Sequence, residues 1–173
     1  GIEMPPKAET LFLSQKPYMT LGTLRENVAY PAEASSEPMQ DDAAVMEALA
    51  KVNMKTAAER VGGLDVPVEL SSIFSLGEQQ RLQFARILLN KPSVVMLDES
   101  TSALDLENEV RMYDLLSDLG ITTISVGNRP SLVAFHNRIL RILGEGEWQL
   151  EEPPRAAAAG EESAKEADVA DSR

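Results

Sequence analysis

Two short stretches of the sequence hold residues whose types and spacing suit phosphate chemistry. Residues 74–81 (FSLGEQQR) open an amphipathic helix with Gly77 in its first turn. Backbone N–H groups at a helix start carry partial positive charge, and a glycine lets an anion approach them closely. Further along, the apolar run at 94–97 ends in Asp98 and Glu99, a carboxylate pair suited to a divalent cation and a polarised water. Together the two stretches indicate half of a site that hydrolyses a nucleoside triphosphate.

Each feature taken singly also has a plain structural explanation. Ser75 suits the N-cap of the helix, and Glu78 stands where it would complete a capping box. Asp98 could simply cap the turn that follows its strand. Capping and anion binding use the same turn, so both can hold at once. The occurrence of both stretches in this order, followed by a Ser-Ala-Leu-Asp run at 102–105, favours the functional interpretation.

The composition limits the functions open to the chain. Its 173 residues are enough for one domain with a hydrophobic core. The net charge of −12 argues against a nucleic-acid-binding surface, which is normally basic. No run reaches the roughly 18 consecutive apolar residues of a membrane-spanning helix, so a membrane role has to come through a partner or a missing part of the protein. The lack of cysteine excludes disulfides and thiolate metal sites.

Apolar runs at 10–15, 93–98 and 121–126 are predicted strands. Helical spacing of apolar residues predicts helices between them. Continuous apolar strands alternating with helices indicate an α/β fold with a parallel sheet covered on both faces. The mainly helical stretch at about 20–77 is predicted to form a separate subdomain, in which Thr23 caps a short helix.

The remaining segments are assigned from composition and turn residues. A turn is predicted at 71–72, before the next helix, and a closing hairpin over 138–150, with Trp148 in its core. Residues 151–173 are rich in Glu, Ala and Pro, and we expect them to form a disordered tail or a marginal helix. Because the chain begins at Gly1 and not at Met, we interpret it as a fragment or a processed piece.

Five segments in a fixed order carry a family resemblance. The chain resembles the nucleotide-binding domain of ATP-binding-cassette (ABC) transporters, and in particular the D subfamily of peroxisomal and plastid fatty-acyl half-transporters with their bacterial relatives. The segments that match are the signature motif at 74–81, Walker B at 94–99, the D-loop at 102–105, the Q-loop glutamine Gln15, and the switch region at 120–132.

The resemblance implies a P-loop NTPase-type parallel sheet core with a helical subdomain, spanning residues 1–150. The family's glycine-rich phosphate loop, ending in Gly-Lys, does not occur among these 173 residues, and the family pattern puts it upstream of Gly1. Without that backbone cradle and its lysine, we predict that the chain alone binds ATP weakly and is inactive, although the parent family hydrolyses ATP.

The resemblance also implies roles for individual residues. Glu99 would be the catalytic base, Asp98 and Gln15 would serve Mg²⁺, and Asp105 would act across a dimer interface. The signature residues would contact the γ-phosphate of ATP held on a facing domain. The residues implied in nucleotide binding are Gln15, Ser75, Gly77, Glu78, Gln79 and Asp105.

The switch position departs from the family pattern, because Asn128 stands where the family has a histidine. Asparagine can donate a hydrogen bond, but it is shorter than histidine and does not titrate. Loss of one positioned polar contact at a transition state costs about 10²–10³ in rate. We therefore predict a weakened hydrolytic site in the parent protein. The alternative is that neutral Asn128 substitutes adequately.

The function implied is that of an ATP-binding and ATP-hydrolysing domain that powers transport of a lipid-like substrate, such as a fatty acid or acyl-CoA. Its partners would be a second nucleotide-binding domain, identical or different, and a transmembrane domain of the same or another chain. That domain would attach it to a peroxisomal, plastid or bacterial inner membrane. Two alternatives stay open: a non-catalytic fragment of such a domain, and a soluble ABC-family ATPase.

Overall fold

The computed structural model describes residues 9–32, 36–37 and 39–154. The expectation of a disordered tail therefore falls mainly outside the described residues. The chain divides into two compact units, one that ends at Asn128 and one that begins at Arg129. Among the described residues, no helix combines the length and apolar character needed to cross a membrane.

The first unit contains three strands and six helices among its described residues. In chain order these are β1 (Thr10–Leu13), α1 (Leu24–Ala29), α2 (Asp42–Lys51), α3 (Ala57–Arg60), α4 (Leu70–Ile73), α5 (Leu76–Asn90), β2 (Val94–Asp98), α6 (Leu106–Asp118) and β3 (Thr122–Val126).

The three strands form one parallel sheet in the order β1-β2-β3. Leu97 of β2 pairs with Leu13 of β1 and with Ser125 of β3, so the carboxyl ends of all three strands lie at the same edge. The predicted α/β fold with a parallel sheet is confirmed.

The expected cover on both faces of the sheet is found on one face only within the described residues. Leu13 and Val95 are buried, whereas Phe12 is 58% exposed and Val126 is 61% exposed. Side chains alternate between the faces of a strand, so the exposed apolar residues all belong to the second face.

Side-chain caps fix the starts of α1 and α5, as the sequence predicts. Thr23 accepts a hydrogen bond from the backbone N–H of Glu26, and the Glu26 carboxylate accepts one from the N–H of Thr23. Ser75 and Glu78 form the same reciprocal capping box at the start of α5. Each box satisfies two donors that a helix end would otherwise leave unpaired.

The predicted turn at 71–72 is wrong, because these residues lie inside the short helix α4. Leu70 anchors this helix in the core, where it is 1% exposed. The Ser72 hydroxyl donates to the carbonyl of Glu69 at 2.7 Å. Serines in sequence favour turns, and here a buried leucine and a local hydrogen bond stabilise one helical turn instead.

Arg25 connects several segments of the helical region through its side chain. The Arg25 guanidinium donates to both carboxylate oxygens of Asp65, at 2.7 and 2.8 Å, and to the carbonyl of Met39 at 2.9 Å. It also forms an ion pair with Asp42, the first residue of α2. The Arg25 side chain is only 11% exposed. This single side chain therefore links α1 to α2 and to the loop that follows α3.

The second unit consists of a 3-10 helix (Pro130–Phe135) and an antiparallel hairpin of β4 (Ile139–Gly144) and β5 (Glu147–Glu151). The predicted hairpin is confirmed, but the predicted burial of Trp148 is wrong, because this side chain is 64% exposed. A two-stranded hairpin has no second layer of its own against which to bury a face.

Replacement of Arg25 by alanine should lower the free energy of unfolding by about 1–3 kcal/mol, because Met39 and two carboxylates lose their charged donor. Arg25 lowers the pKa of Asp65 below its ordinary 3.8 through their hydrogen bond. This pair therefore stabilises the fold fully above pH 3.8, and its contribution is lost as the pH falls through the lowered pKa. Urea unfolding of both proteins between pH 7 and pH 2.5 measures the difference.

Lys51→Ala is the matched control, because Lys51 pairs with Glu47 on an exposed helix face. It should change stability by no more than about 0.5 kcal/mol. Equal losses for the two variants would contradict the structural role given to Arg25.

Candidate functional site

The residues that follow the three parallel strands meet at one edge of the sheet. Gln15 lies two residues after β1, Glu99 directly after β2, and Asn128 two residues after β3. Ligands of open α/β sheets bind at this carboxyl edge. Gln15 and Glu99 touch each other there: the Gln15 amide nitrogen donates to a Glu99 carboxylate oxygen at 2.6 Å. The sequence separates the two by 84 positions.

The backbone at Glu99 is held in an unusual conformation. Its φ of +47° lies in the left-handed region, which residues with a Cβ seldom adopt. The Glu99 N–H donates to the carbonyl of Val126 at 2.9 Å, and the Glu99 carbonyl accepts from the N–H of Ser102 at 3.0 Å. These two bonds fix the turn that aims the carboxylate. Asp98 ends β2 and is half-buried, and Asn128 is exposed.

The start of α5 presents the predicted signature turn. The N–H of Ser75 donates to the Glu78 carboxylate at 2.9 Å, and Arg60 forms an ion pair with the same carboxylate. The Arg60 guanidinium is the main cause of a lowered pKa at Glu78, and the hydrogen bond from Ser75 lowers this pKa further. Glu78 is therefore engaged in holding the turn. Ser75 itself is exposed.

The Gln79 side chain points back to the residues just before its own helix. Its amide nitrogen donates to the carbonyl of Phe74 at 2.8 Å and to the carbonyl of Ser71 at 3.3 Å. In this arrangement Gln79 fixes the approach to the signature turn, and its predicted contact with a γ-phosphate stays a prediction.

Gly77 permits a close approach between the signature turn and the loop after β2. A Cβ placed on Gly77 would lie 2.8 Å from the carbonyl oxygen of Ala103 and 3.7 Å from the side chain of Leu104. No real Cβ tolerates the first distance. The glycine is therefore required by packing within the chain itself, in addition to any approach by an anion.

Asp105 closes the same loop as the N-cap of α6. Its carboxylate accepts from the backbone N–H of Asn108 at 2.8 Å and from the side-chain amide of Asn108 at 3.0 Å. The bond from the backbone N–H is the main cause of a lowered pKa at Asp105. The carboxylate is thus held ionised at an exposed position.

Several residues of the site were not identified from the sequence. The buried Ser100 hydroxyl donates to the carbonyl of Leu13 at 2.7 Å and so fastens the turn after β2 to the end of β1. Gln80 and Gln83 lie on the buried side of α5 and donate to the carbonyls of Gln15 and Ser14. In the sequence, such residues can be found as polar side chains at positions of the helix where the periodicity calls for a buried apolar residue.

The donor set at the sheet edge fits a magnesium ion bound together with phosphate. Among the described residues, no cluster of three or more His, Cys, Asp or Glu side chains is found. Mg²⁺ usually takes only one or two protein carboxylates and completes its shell with phosphate oxygens and water. Asp98 could supply such a carboxylate, and Gln15 could supply its amide oxygen, since its amide nitrogen is used by Glu99.

Comparison with known sequences identifies the family of the chain. Residues 3–102 match the family profile described as ABC transporter. The chain is 52% identical over 149 residues to an ABC transporter ATP-binding protein of Synechocystis, with 86% of the chain covered. It is 41% identical to the chloroplastic ABC transporter D family member 2 of Arabidopsis thaliana and 44% identical to the lysosomal cobalamin transporter of Mus musculus, with 84% and 81% covered.

Comparison with solved structures agrees. A bacterial Atm1-family ABC exporter with ATP bound superposes with a TM-score of 0.65 at 29% identity, over 78% of the chain. The chain spans 22–25% of the length of the three relatives named above and 23% of the exporter chain.

Gly77→Ala should destabilise the chain by about 1–3 kcal/mol, because the added methyl group meets the Ala103 carbonyl and one of the two backbones has to move. Helix propensity alone predicts the opposite sign, a gain of about 0.5–1 kcal/mol. Ser117→Ala, at an exposed position of α6, is the control for that gain. Thermal and urea unfolding measure both variants, and a Gly77 variant more stable than wild type would contradict the packing argument.

Proposed function

Because this chain belongs to the ABC transporter family, we propose that it supplies the catalytic carboxylate and the signature turn of an ATP-hydrolysing domain. The observation that carries the proposal is the 2.6 Å hydrogen bond between Gln15 and Glu99 at the carboxyl edge of the parallel sheet. It joins Gln15, a residue proposed to hold Mg²⁺, to Glu99, the residue proposed to activate water.

Glu99 is proposed to orient and polarise the attacking water as general base. The Gln15 amide holds one carboxylate oxygen, which leaves the other oxygen available to accept a proton from water. Asp98 and Gln15 are proposed to hold Mg²⁺, which supplies charge neutralisation for the phosphates. Asn128, exposed after β3, is proposed to donate a hydrogen bond to the γ-phosphate.

The signature turn is proposed to serve a nucleotide bound by a second domain. Ser75 and Leu76 are exposed at the N-terminus of a 15-residue helix, where the helix dipole and the N–H groups outside the capping box favour an anion. The proposed partners are a second nucleotide-binding domain and, on the similarity to ABC transporters, a transmembrane domain through which the chain is attached to a membrane.

The proposed cargo is lipid-like, a fatty acid or acyl-CoA, on the resemblance to the D subfamily that includes a chloroplastic member. A second candidate has its own support, because a relative of similar identity is named as a lysosomal cobalamin transporter. Stimulation of ATP turnover in the complete transporter by acyl-CoA or by cobalamin distinguishes the two.

Glu99→Gln, made in the complete transporter that carries this segment, should lower kcat for ATP hydrolysis by at least about 10²-fold, because the amide cannot take a proton from water. Binding of ATP should persist. Steady-state phosphate release and nucleotide binding measure the two effects. Glu147→Gln, on the exposed hairpin, is the charge-matched control and should leave turnover unchanged. A Glu99 variant as active as wild type would contradict the proposed general base. A wild type without turnover would favour the non-catalytic alternative.

Asn128→His should raise ATP turnover of the same transporter by about 10²-fold, because imidazole reaches further than an amide and donates to the γ-phosphate. The gain should depend on pH near 6.5, where an exposed histidine titrates. Asn137→His provides the same substitution at an exposed position of the second unit and should change nothing. Equal turnover of the Asn128 variant and wild type would mean that asparagine is an adequate substitute.

A further inference from the structure

The side chain of Gln80 connects three segments of the proposed site: its own helix α5, which begins with the signature turn, the segment of Gln15, and the loop at 102–103. It lies in α5 and is fully buried. Its nitrogen donates to the backbone carbonyl of Gln15 at 3.0 Å and to the Ser102 hydroxyl at 3.2 Å. Its oxygen accepts from the backbone N–H of Ala103 at 2.9 Å. Both N–H groups and the carbonyl of this amide are therefore used.

A buried amide is costly unless all its groups are paired. Phe84 and Ile87, one and two turns further along the same side of the helix, are buried apolar side chains. A leucine would pack at position 80 without any polar requirement. The glutamine is explained by its three partners, none of which belongs to α5 itself.

These hydrogen bonds reach the Gln15–Glu99 pair through the backbone of Gln15 and through the loop that follows Glu99. Gln80 holds the backbone of Gln15 from one side. On the other side it holds Ser102, whose N–H donates to the Glu99 carbonyl at 3.0 Å. It also holds Ala103, whose carbonyl faces Gly77 of the signature turn.

We propose that Gln80 is a positioning residue that sets the Gln15–Glu99 pair and the loop leading to Asp105 in register with the signature turn. A nucleotide engaged at either place then shifts the other, because the three segments move together. This inference rests on the proposed ATPase function. Gln80 acts through Gln15 and Glu99 and is not proposed to contact the nucleotide.

The test compares Gln80→Leu with Asn90→Leu in the complete transporter. Asn90 is half-buried at the other end of α5, and its amide donates to the carbonyls of Ala29 and Tyr30 in the helical region. Gln80→Leu should lower kcat for ATP hydrolysis roughly 10- to 100-fold, as expected when reacting groups are misplaced, and should change KM by no more than about threefold. Asn90→Leu should change both constants by no more than about threefold.

A second measurement is independent of activity. Amide hydrogen exchange at Ala103, whose N–H is bonded to Gln80, should accelerate in Gln80→Leu and stay as in wild type in Asn90→Leu. Unchanged exchange at Ala103, or equal loss of kcat in both variants, would overturn the proposal. If the two variants show the predicted exchange pattern but the wild type hydrolyses no ATP, the proposed function is overturned and the linkage of the three segments still stands.

Discussion

The parallel pairing of β1, β2 and β3 is the constraint on which the site depends. Parallel strands end at a common edge, so residues that follow each strand become neighbours although they are far apart in the chain. Gln15 and Glu99 meet there because Leu13 and Leu97 are paired in register. A slip of one residue between β1 and β2 would turn the buried leucines to the other face of the sheet, so the packing of the core also fixes the distance within the site.

The loops at this edge need partners for their backbone groups, and α5 supplies them. Gln80, Gln83 and Arg86 lie on its buried side and donate to carbonyls of the segment that follows β1. Arg86 also donates to the carbonyl of Asn27 at 2.6 Å. Burial lowers the pKa of Arg86 to about 10, which still leaves it charged at neutral pH. One helix thus joins the carboxyl edge of the sheet to the helical region.

Local patterns predicted the elements well, because their causes are local. Apolar runs marked the three strands, and the Ser75–Glu78 spacing marked the start of α5. The errors have non-local causes. The helix α4 depends on the burial of Leu70, and the exposure of Trp148 depends on what covers the hairpin. The role of Gln80 could not be predicted, since its partners lie 22 to 65 positions away.

The backbone conformation of Glu99 is one that glycine would adopt more easily than glutamate. With φ at +47° the backbone would favour glycine there, and any side chain costs roughly 1–2 kcal/mol of strain. The bonds to Val126 and Ser102 hold this turn through backbone atoms alone, so they would form equally well with glycine. The backbone bonds therefore give no reason for a glutamate. What the side chain adds is a carboxylate, whose partner is the amide of Gln15.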